Sequence, residues 1–291
     1  MADYSIWILE YACVPQAATS SLVYGRHNVG DEKLPYAYTL LKGKGRNILL
    51  DCGLNAASHG MQFVNKYGVS NWHSPADVLA EVRTNPEDIT DVILTHAHFD
   101  HMGGLELFPN ARFYIQSHEL ASWVQTMSMG RRFRWMMNAT DTGDMIYAVE
   151  LARDGRMIGV DGDQEDLLPG IDVHLARDTH TAGSQYIVIR NDGMKSGEDR
   201  YVYTGDLIYR HENLHGGTPD DPEYVPVGYA LGSQTNLLKA TDAILKSVNN
   251  DMRRVLVPHE GAMVSLYPSR TTRNGLYIVE VALAEGQSSC V

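Results

Sequence analysis

The segment Thr95-His96-Ala97-His98-Phe99-Asp100-His101-Met102-Gly103-Gly104 places four candidate metal ligands within six residues. It follows Asp91-Val92-Ile93-Leu94, whose β-branched apolar run predicts a strand. Side chains two apart on extended chain point the same way, so His96 and His98 share one side. Asp100 and His101 then fall where the chain turns, in position to face a second ion. Gly103-Gly104 predicts a tight approach before a following helix. Imidazole nitrogen with carboxylate oxygen suits Zn²⁺ and other divalent first-row ions, with Mn²⁺, Fe²⁺ and Co²⁺ also accommodated. A lone histidine ordinarily packs in a core or sits on the surface. A cluster of this type at a strand end has no such ordinary use.

A dinuclear centre needs ligands from elsewhere in the chain. His180 lies in Arg177-Asp178-Thr179-His180-Thr181-Ala182-Gly183-Ser184, between two predicted strands. Asp206 follows Tyr201-Val202-Tyr203-Thr204, and His259 follows Val255-Leu256-Val257. Each stands at the carboxyl end of a strand or in the loop after it, where polar groups line sites. Strands are predicted at 5–9, 38–41, 47–51, 91–95 and 112–115, and again at 171–175, 185–190, 201–204, 254–257 and 276–281. Ser74-Pro75 predicts a capped helix through Val82, Ser117 caps another through Met127, and Thr235 to Val248 forms a third, closed by Asn249-Asn250. The class is therefore mixed α and β, with two groups of strands. Two stretches read as additions to it. One is a loop over 15–35. The other, 127–168, is either a helical packing insert or a cap whose Met and aromatic side chains cover a pocket.

The 291 residues include 44% hydrophobic and 21% charged ones, an ordinary globular balance that allows one large domain or two small ones. The formal net charge of −12 repels phosphate backbones, so no nucleic-acid partner is expected. Met1-Ala2-Asp3-Tyr4 lacks a basic leader region, and Ile6-Trp7-Ile8-Leu9 is broken at once by Glu10. No run approaches the ~18 apolar residues of a membrane span. Cys13, Cys52 and Cys290 are odd in number and far apart, which suits a reducing compartment. A soluble cytoplasmic protein without a membrane partner is the expectation. Gly216-Gly217 with Pro219 read as a flexible loop, since neither a phosphate-cradling glycine motif nor a serine nucleophile elbow is present.

His96-x-His98-x-Asp100-His101, followed in order by His180, Asp206 and His259, resembles the metallo-β-lactamase superfamily, from Asp51 in Leu50-Asp51-Cys52-Gly53 onward. The resemblance implies an αββα sandwich of two mixed β-sheets flanked by helices, with residues 1–291 as one hydrolase domain. It implies that His96, His98 and His180 hold one metal and Asp100, His101 and His259 a second, with Asp206 bridging. Asp206-Leu207-Ile208-Tyr209 and the later Glu212-Asn213 are similar to the N-acyl-homoserine lactonase and 4-pyridoxolactonase group, in which that tyrosine contacts substrate. Asp178-Thr179 stand where that group usually has Pro-Gly, and Ser184 where it has a second histidine.

The expected function is lactone ring opening by a metal-bridging hydroxide. Asp100, Asp206 and Tyr209 are the catalytic candidates, with Tyr209 donating to the oxyanion and Asp206 passing a proton to the leaving oxygen. The same machinery acting on a cyclic amide, a thioester or another ester is the alternative, and a non-catalytic metal-binding protein is a third. The partner expected is a small molecule with a cyclic ester or amide, and a homodimer with contacts near Trp72 is a further expectation from the resemblance. The residues leave open whether Asp51 orients a ligand histidine or is a turn carboxylate, and whether His59, Trp72 and His73 reach the substrate mouth or the surface. His211 and His215 are not needed for the ligand count. His118 with Glu119 reads as a helix cap.

Overall fold

The computed structural model describes residues 2–218, 220 and 222–291; Met1, Pro219 and Asp221 lie outside them, so the Pro219 part of the expected flexible loop does too. Among the described residues the strands are β1 (Tyr4–Ala18), β2 (Asp31–Gly43), β3 (Arg46–Leu50), β4 (Asp91–Ile93), β5 (Arg112–Gln116), β6 (Met157–Val160), β7 (Gln164–Leu168), β8 (Ile171–Arg177), β9 (Gly183–Arg190), β10 (Arg200–Tyr203), β11 (Val255–Leu256), β12 (Ser269–Thr271) and β13 (Tyr277–Ala282). They form an eight-stranded sheet, β12-β13-β1-β2-β3-β4-β5-β6, and a five-stranded sheet, β11-β10-β9-β8-β7. Both are mixed: β3 to β6 run parallel, as do β10 and β11, while the other pairs are antiparallel.

Alternation along the strands builds two cores at once, because successive side chains leave opposite faces of a sheet. Ile6, Ile8, Leu41, Ile48, Leu50 and Ile93 meet Ile171, Val173, Ile187 and Ile189 between the sheets. Their neighbours Trp7, Leu9, Leu40, Leu49, Val92 and Leu94 turn outward against helices, packing with Leu79, Phe108 and Met145. With both faces covered, the strands read as nearly continuous apolar runs rather than alternating ones.

The helices meet most of their signals. Ser74 accepts the Asp77 backbone N–H with Pro75 in the first turn of helix Pro75–Ala80, as its sequence predicts. Helix Gln234–Ser247 is capped by Ser233, and Asn249 and Asn250 close it in left-handed conformation. Helix Ser117–Met127 starts one residue earlier than a Ser117 cap requires; Gln116 holds the cap position and Ser117 is already helical.

Neither expected addition stands wholly outside the sheets. Both ends of 15–35 are strand: β1 and β2 pair out to Ala18 and Asp31, leaving a tip over 19–30 that carries the short helix Thr19–Leu22. Nor is 127–168 only an insert. It supplies helix Thr142–Arg153 to the outer core and an edge strand to each sheet, β6 and β7. Only its first part, around Asn138 and Ala139, borders the pocket described below. No helix among the described residues is long and apolar enough to cross a membrane. Cys13, Cys52 and Cys290 are unpaired.

Candidate metal centre

β4 stops at Ile93, and the chain stays irregular and extended through His98 before the one-turn helix Phe99–Met102. A one-turn α-helix thus precedes Gly103-Gly104, and a short 3-10 helix, Leu105–Leu107, follows them as expected. The tight approach is real: a Cβ at Gly104 would lie 2.1 Å from the Cys52 carbonyl oxygen. This geometry presents His96 and His98 from extended chain, and Asp100 and His101 from the helix.

The seven ligand candidates converge although they come from four stretches of chain. His96, His98, His180 and Asp206 form one group and Asp100, His101 and His259 another, with ligand atoms in each within 4.8 Å of one another. Asp206 lies between the two groups. Its Oδ2 faces His180 Nε2 at 3.3 Å and His96 Nε2 at 3.6 Å. Its Oδ1 faces His101 Nε2 at 3.0 Å and His259 Nε2 at 3.1 Å. Asp100 Oδ2 stands 3.7 Å from His101 Nε2 and 3.6 Å from His259 Nε2.

Four of the imidazoles are oriented through Nδ1, so that Nε2 is left for the centre. His101 Nδ1 meets Asp51 Oδ2 at 2.7 Å, His259 Nδ1 the Pro35 carbonyl at 2.7 Å, His180 Nδ1 the Tyr229 carbonyl at 2.8 Å, and His96 Nδ1 the Thr95 hydroxyl at 3.0 Å. Of the two roles left open for Asp51, the geometry favours orientation of a ligand histidine. The carboxylate also accepts the Thr95 N–H at 2.7 Å and the Tyr203 hydroxyl at 3.0 Å.

The donor chemistry fits divalent cations. His96 Nε2 and Asp206 Oδ1 are buried and complete no hydrogen bond, and His98 turns its Nδ1 toward His180 Nε2 at 3.0 Å. An orphaned buried polar atom costs about 1–3 kcal/mol, a cost that a cation among these lone pairs removes. Burial, reinforced by neighbouring imidazoles, holds His96 and His98 well below the ordinary histidine range, so both are neutral and able to ligate. Burial alone opposes ionisation of Asp206, yet His101 and His259 together hold it well below the usual carboxylate range.

Tyr209 is buried, stacks on His259 at 5.1 Å between ring centroids, and donates to Asp206 Oδ2 at 2.6 Å. Burial and the adjacent Asp206 and Asp100 push its phenol well above the usual tyrosine range, so it keeps its proton. Asn213 sets its backbone, accepting the N–H groups of Tyr209 and Arg210 at 3.1 and 2.9 Å. A cavity of about 360 Å³ opens on this floor, walled by Leu22, Tyr36, Tyr67, Phe99, Tyr209 and Tyr229. Larger surface hollows of about 520 Å³ beside Lys44 and beside Lys33 contain none of the seven ligands.

Other candidates lie elsewhere. His59 pairs with Asp144 at 2.6 Å, the Trp72 indole N–H donates to the Leu54 carbonyl, and His73 contacts Asn71 on the surface. His211 contacts the Val255 carbonyl and His215 the Gly217 N–H, both outside the ligand groups. The departures around His180 are absorbed locally. Asp178 adopts the left-handed conformation at φ 52°, and the Ser184 hydroxyl accepts the Thr181 N–H at 3.0 Å and meets the Thr181 hydroxyl at 2.7 Å.

Glu119 overturns its reading as a cap. It is fully buried and accepts four hydrogen bonds, among them those from Ala97 and Gly183 on the ligand loops. Tyr229 was equally invisible to spacing, since its role rests on a carbonyl and on proximity to His98 and His180, with ring centroids 5.8 Å from each.

The chain is similar to several known proteins. N-acyl homoserine lactonase AiiB of Rhizobium rhizogenes is 25% identical over 123 residues, 42% of this chain and 43% of that protein. Anti-Pycsar protein Apyc1 of Saccharibacillus brassicae is 24% identical over 176 residues, 60% of this chain and 62% of that protein. The chain thus spans less than two thirds of the length of these curated relatives. Among solved structures, AidC, a dizinc quorum-quenching lactonase, shares the fold with a TM-score of 0.63 at 18% identity, over 98% of this chain and 97% of that one. Residues 32–245, more than half of the chain, match the sequence pattern of a single family; with the double sheet and the order of its ligands, the chain belongs to the metallo-beta-lactamase superfamily.

Proposed function

We propose that the protein is a metal-dependent hydrolase that opens lactone rings, with Zn²⁺ the first choice at two positions. His96, His98 and His180 would hold one ion and Asp100, His101 and His259 the other, with Asp206 shared. The observation that carries the reading is Asp206, set between the two ligand groups and touched by the Tyr209 hydroxyl at 2.6 Å on a pocket floor. When bound, divalent cations supply Lewis acidity toward a carbonyl oxygen and lower the pKa of water to about 7.

The chain's own groups do the rest. Tyr209, neutral and buried, donates to the oxygen that gains charge as the carbonyl becomes tetrahedral. One such donor contributes on the order of 10²–10³-fold in rate. Asp206, ionised and released by that phenol as it turns to the oxyanion, takes the proton shed by the attacking water and delivers it to the ring oxygen as the carbonyl carbon–oxygen bond breaks. Aromatic walls formed by Tyr36, Tyr67 and Phe99 exclude water and receive the apolar part of a small cyclic ester. The relatives named as N-acyl homoserine lactonases support this substrate class.

The test is chelation followed by restoration. Protein dialysed against a chelator is assayed by proton release on a panel of lactones, linear esters, thioesters and lactams, then supplied with Zn²⁺, Mn²⁺ or Co²⁺. Loss and recovery on lactones is the expected outcome. Tight metal binding without turnover on any member of the panel overturns the hydrolase reading, and turnover confined to lactams or thioesters overturns the lactone assignment.

A further inference from the structure

We infer that Glu119 is a positioning residue for the pair His98 and His180, so that its loss loosens one metal position and spares the other. The inference rests on the proposal that the seven ligands hold two ions. Glu119 projects from helix Ser117–Met127 and is fully buried. Its Oε1 accepts the Ala97 N–H at 3.0 Å and the Trp123 indole N–H at 2.7 Å. Its Oε2 accepts the Thr181 hydroxyl at 2.8 Å and the Gly183 N–H at 2.7 Å.

Ala97 separates His96 from His98, while Thr181 and Gly183 follow His180. One carboxylate therefore fastens the β4 ligand loop to the loop that enters β9. The two histidines it brackets approach with His180 Nε2 3.0 Å from His98 Nδ1. Contact at 183 is too close for any side chain: a Cβ there would lie 2.5 Å from the Glu119 nitrogen. With each oxygen engaged by two donors, Glu119 is an anchor and not itself a ligand.

Asp51 works on the other side, through His101 at 2.7 Å and Tyr203 at 3.0 Å, and reaches His96 by way of Thr95. Glu119 makes no hydrogen bond or ion pair to His101, His259 or Asp100 among the described residues. The two buried carboxylates thus divide the support of the centre unequally. Glu119→Gln keeps the shape but sets an NH₂ group against buried N–H or O–H donors, leaving at least one of them unpaired.

The experiment uses the full chain, stripped of metal and titrated with Zn²⁺ against a chromophoric chelator, with bound metal counted by elemental analysis. Wild type is expected to take up two Zn²⁺. In Glu119→Gln one site weakens by about 10–100-fold, the usual cost of losing an outer partner of a metal ligand, and the other changes by less than about 3-fold. Two backgrounds identify the weakened site. With His259→Ala, adding Glu119→Gln weakens the remaining site by the larger factor; with His98→Ala, it does not. Equal effects in both backgrounds, or two tight ions in Glu119→Gln, overturn the inference. Should that variant fail to fold, Thr181→Val removes a single bond to Glu119 and must show the same selectivity; absence of selectivity overturns it as well. Fewer than two Zn²⁺ in the wild type overturns the dinuclear reading itself, a result distinct from any change in the variants.

Discussion

Tyr209→Phe removes one oxygen atom and tests the chemistry more sharply than loss of a ligand. The hydroxyl lies 2.6 Å from Asp206 Oδ2 and belongs to a neutral phenol. A hydrogen bond to a charged group contributes about 1.5–3 kcal/mol, equivalent to roughly 10–150-fold. If the donor passes to the oxyanion at the transition state, the loss in turnover extends to about 10³-fold. Metal retention should be unaffected, because Asp206 still faces His96, His101, His180 and His259 through both oxygens. The ring also keeps its stacking on His259. The assay is initial-rate proton release on the best lactone of the panel, with elemental analysis of the same sample. A turnover loss of about 10–1,000-fold at unchanged metal content is expected. A wild-type rate, or loss of metal along with the rate, refutes the role given to Tyr209.

Asp206→Asn should reduce both bound Zn²⁺ and turnover, since one neutral amide replaces the carboxylate facing both ligand groups; wild-type stoichiometry by elemental analysis would sink the shared-ligand assignment. Burial pushes the Asp144 carboxyl up to about 6, and its partner His59 is raised too, because Asp144 and nearby Asp141 outweigh desolvation. Both folded-state values exceed the unfolded ones, so the stability they contribute is complete below about pH 4 and lost as pH rises through 6 and beyond. Urea titrations of wild type and Asp144→Asn should therefore differ more in favour of wild type at pH 5 than at pH 8; a pH-independent difference contradicts this linkage. Arg190 is buried and fork-bonded to Asp172 at 2.8 and 2.9 Å, so Arg190→Ala should cost about 3–5 kcal/mol in urea unfolding, whereas a loss under 1 kcal/mol would show that the pair is not a buried bridge.

Much of the frame was legible because it is written in local periodicity. Each of the ten predicted strands corresponds to an observed one, since buried strands carry dense β-branched and aromatic runs whatever their partners are. The three strands missed are short or polar. β7, Gln164–Leu168, has an acidic residue in left-handed conformation at Asp166 and is held by Arg190 and Asp172, contacts that no window of sequence contains. The same limit explains 15–35, read as a loop, where pairing between β1 and β2 extends the hairpin at both ends.

At the centre, the sequence alone determined which atoms can ligate: imidazoles and carboxylates at strand ends, in a characteristic order, announce their chemistry through identity and spacing. Only the tertiary structure decided how they are held. Glu119 reaches Gly183 across 64 positions, Tyr203 reaches Asp51 across 152, and Pro35 offers its carbonyl to His259 across 224. Such partners are selected by where chain segments return in space, and a hydrogen-bond acceptor needs no particular residue pattern around it. Ligand identity is a property of side chains; ligand orientation is a property of the fold.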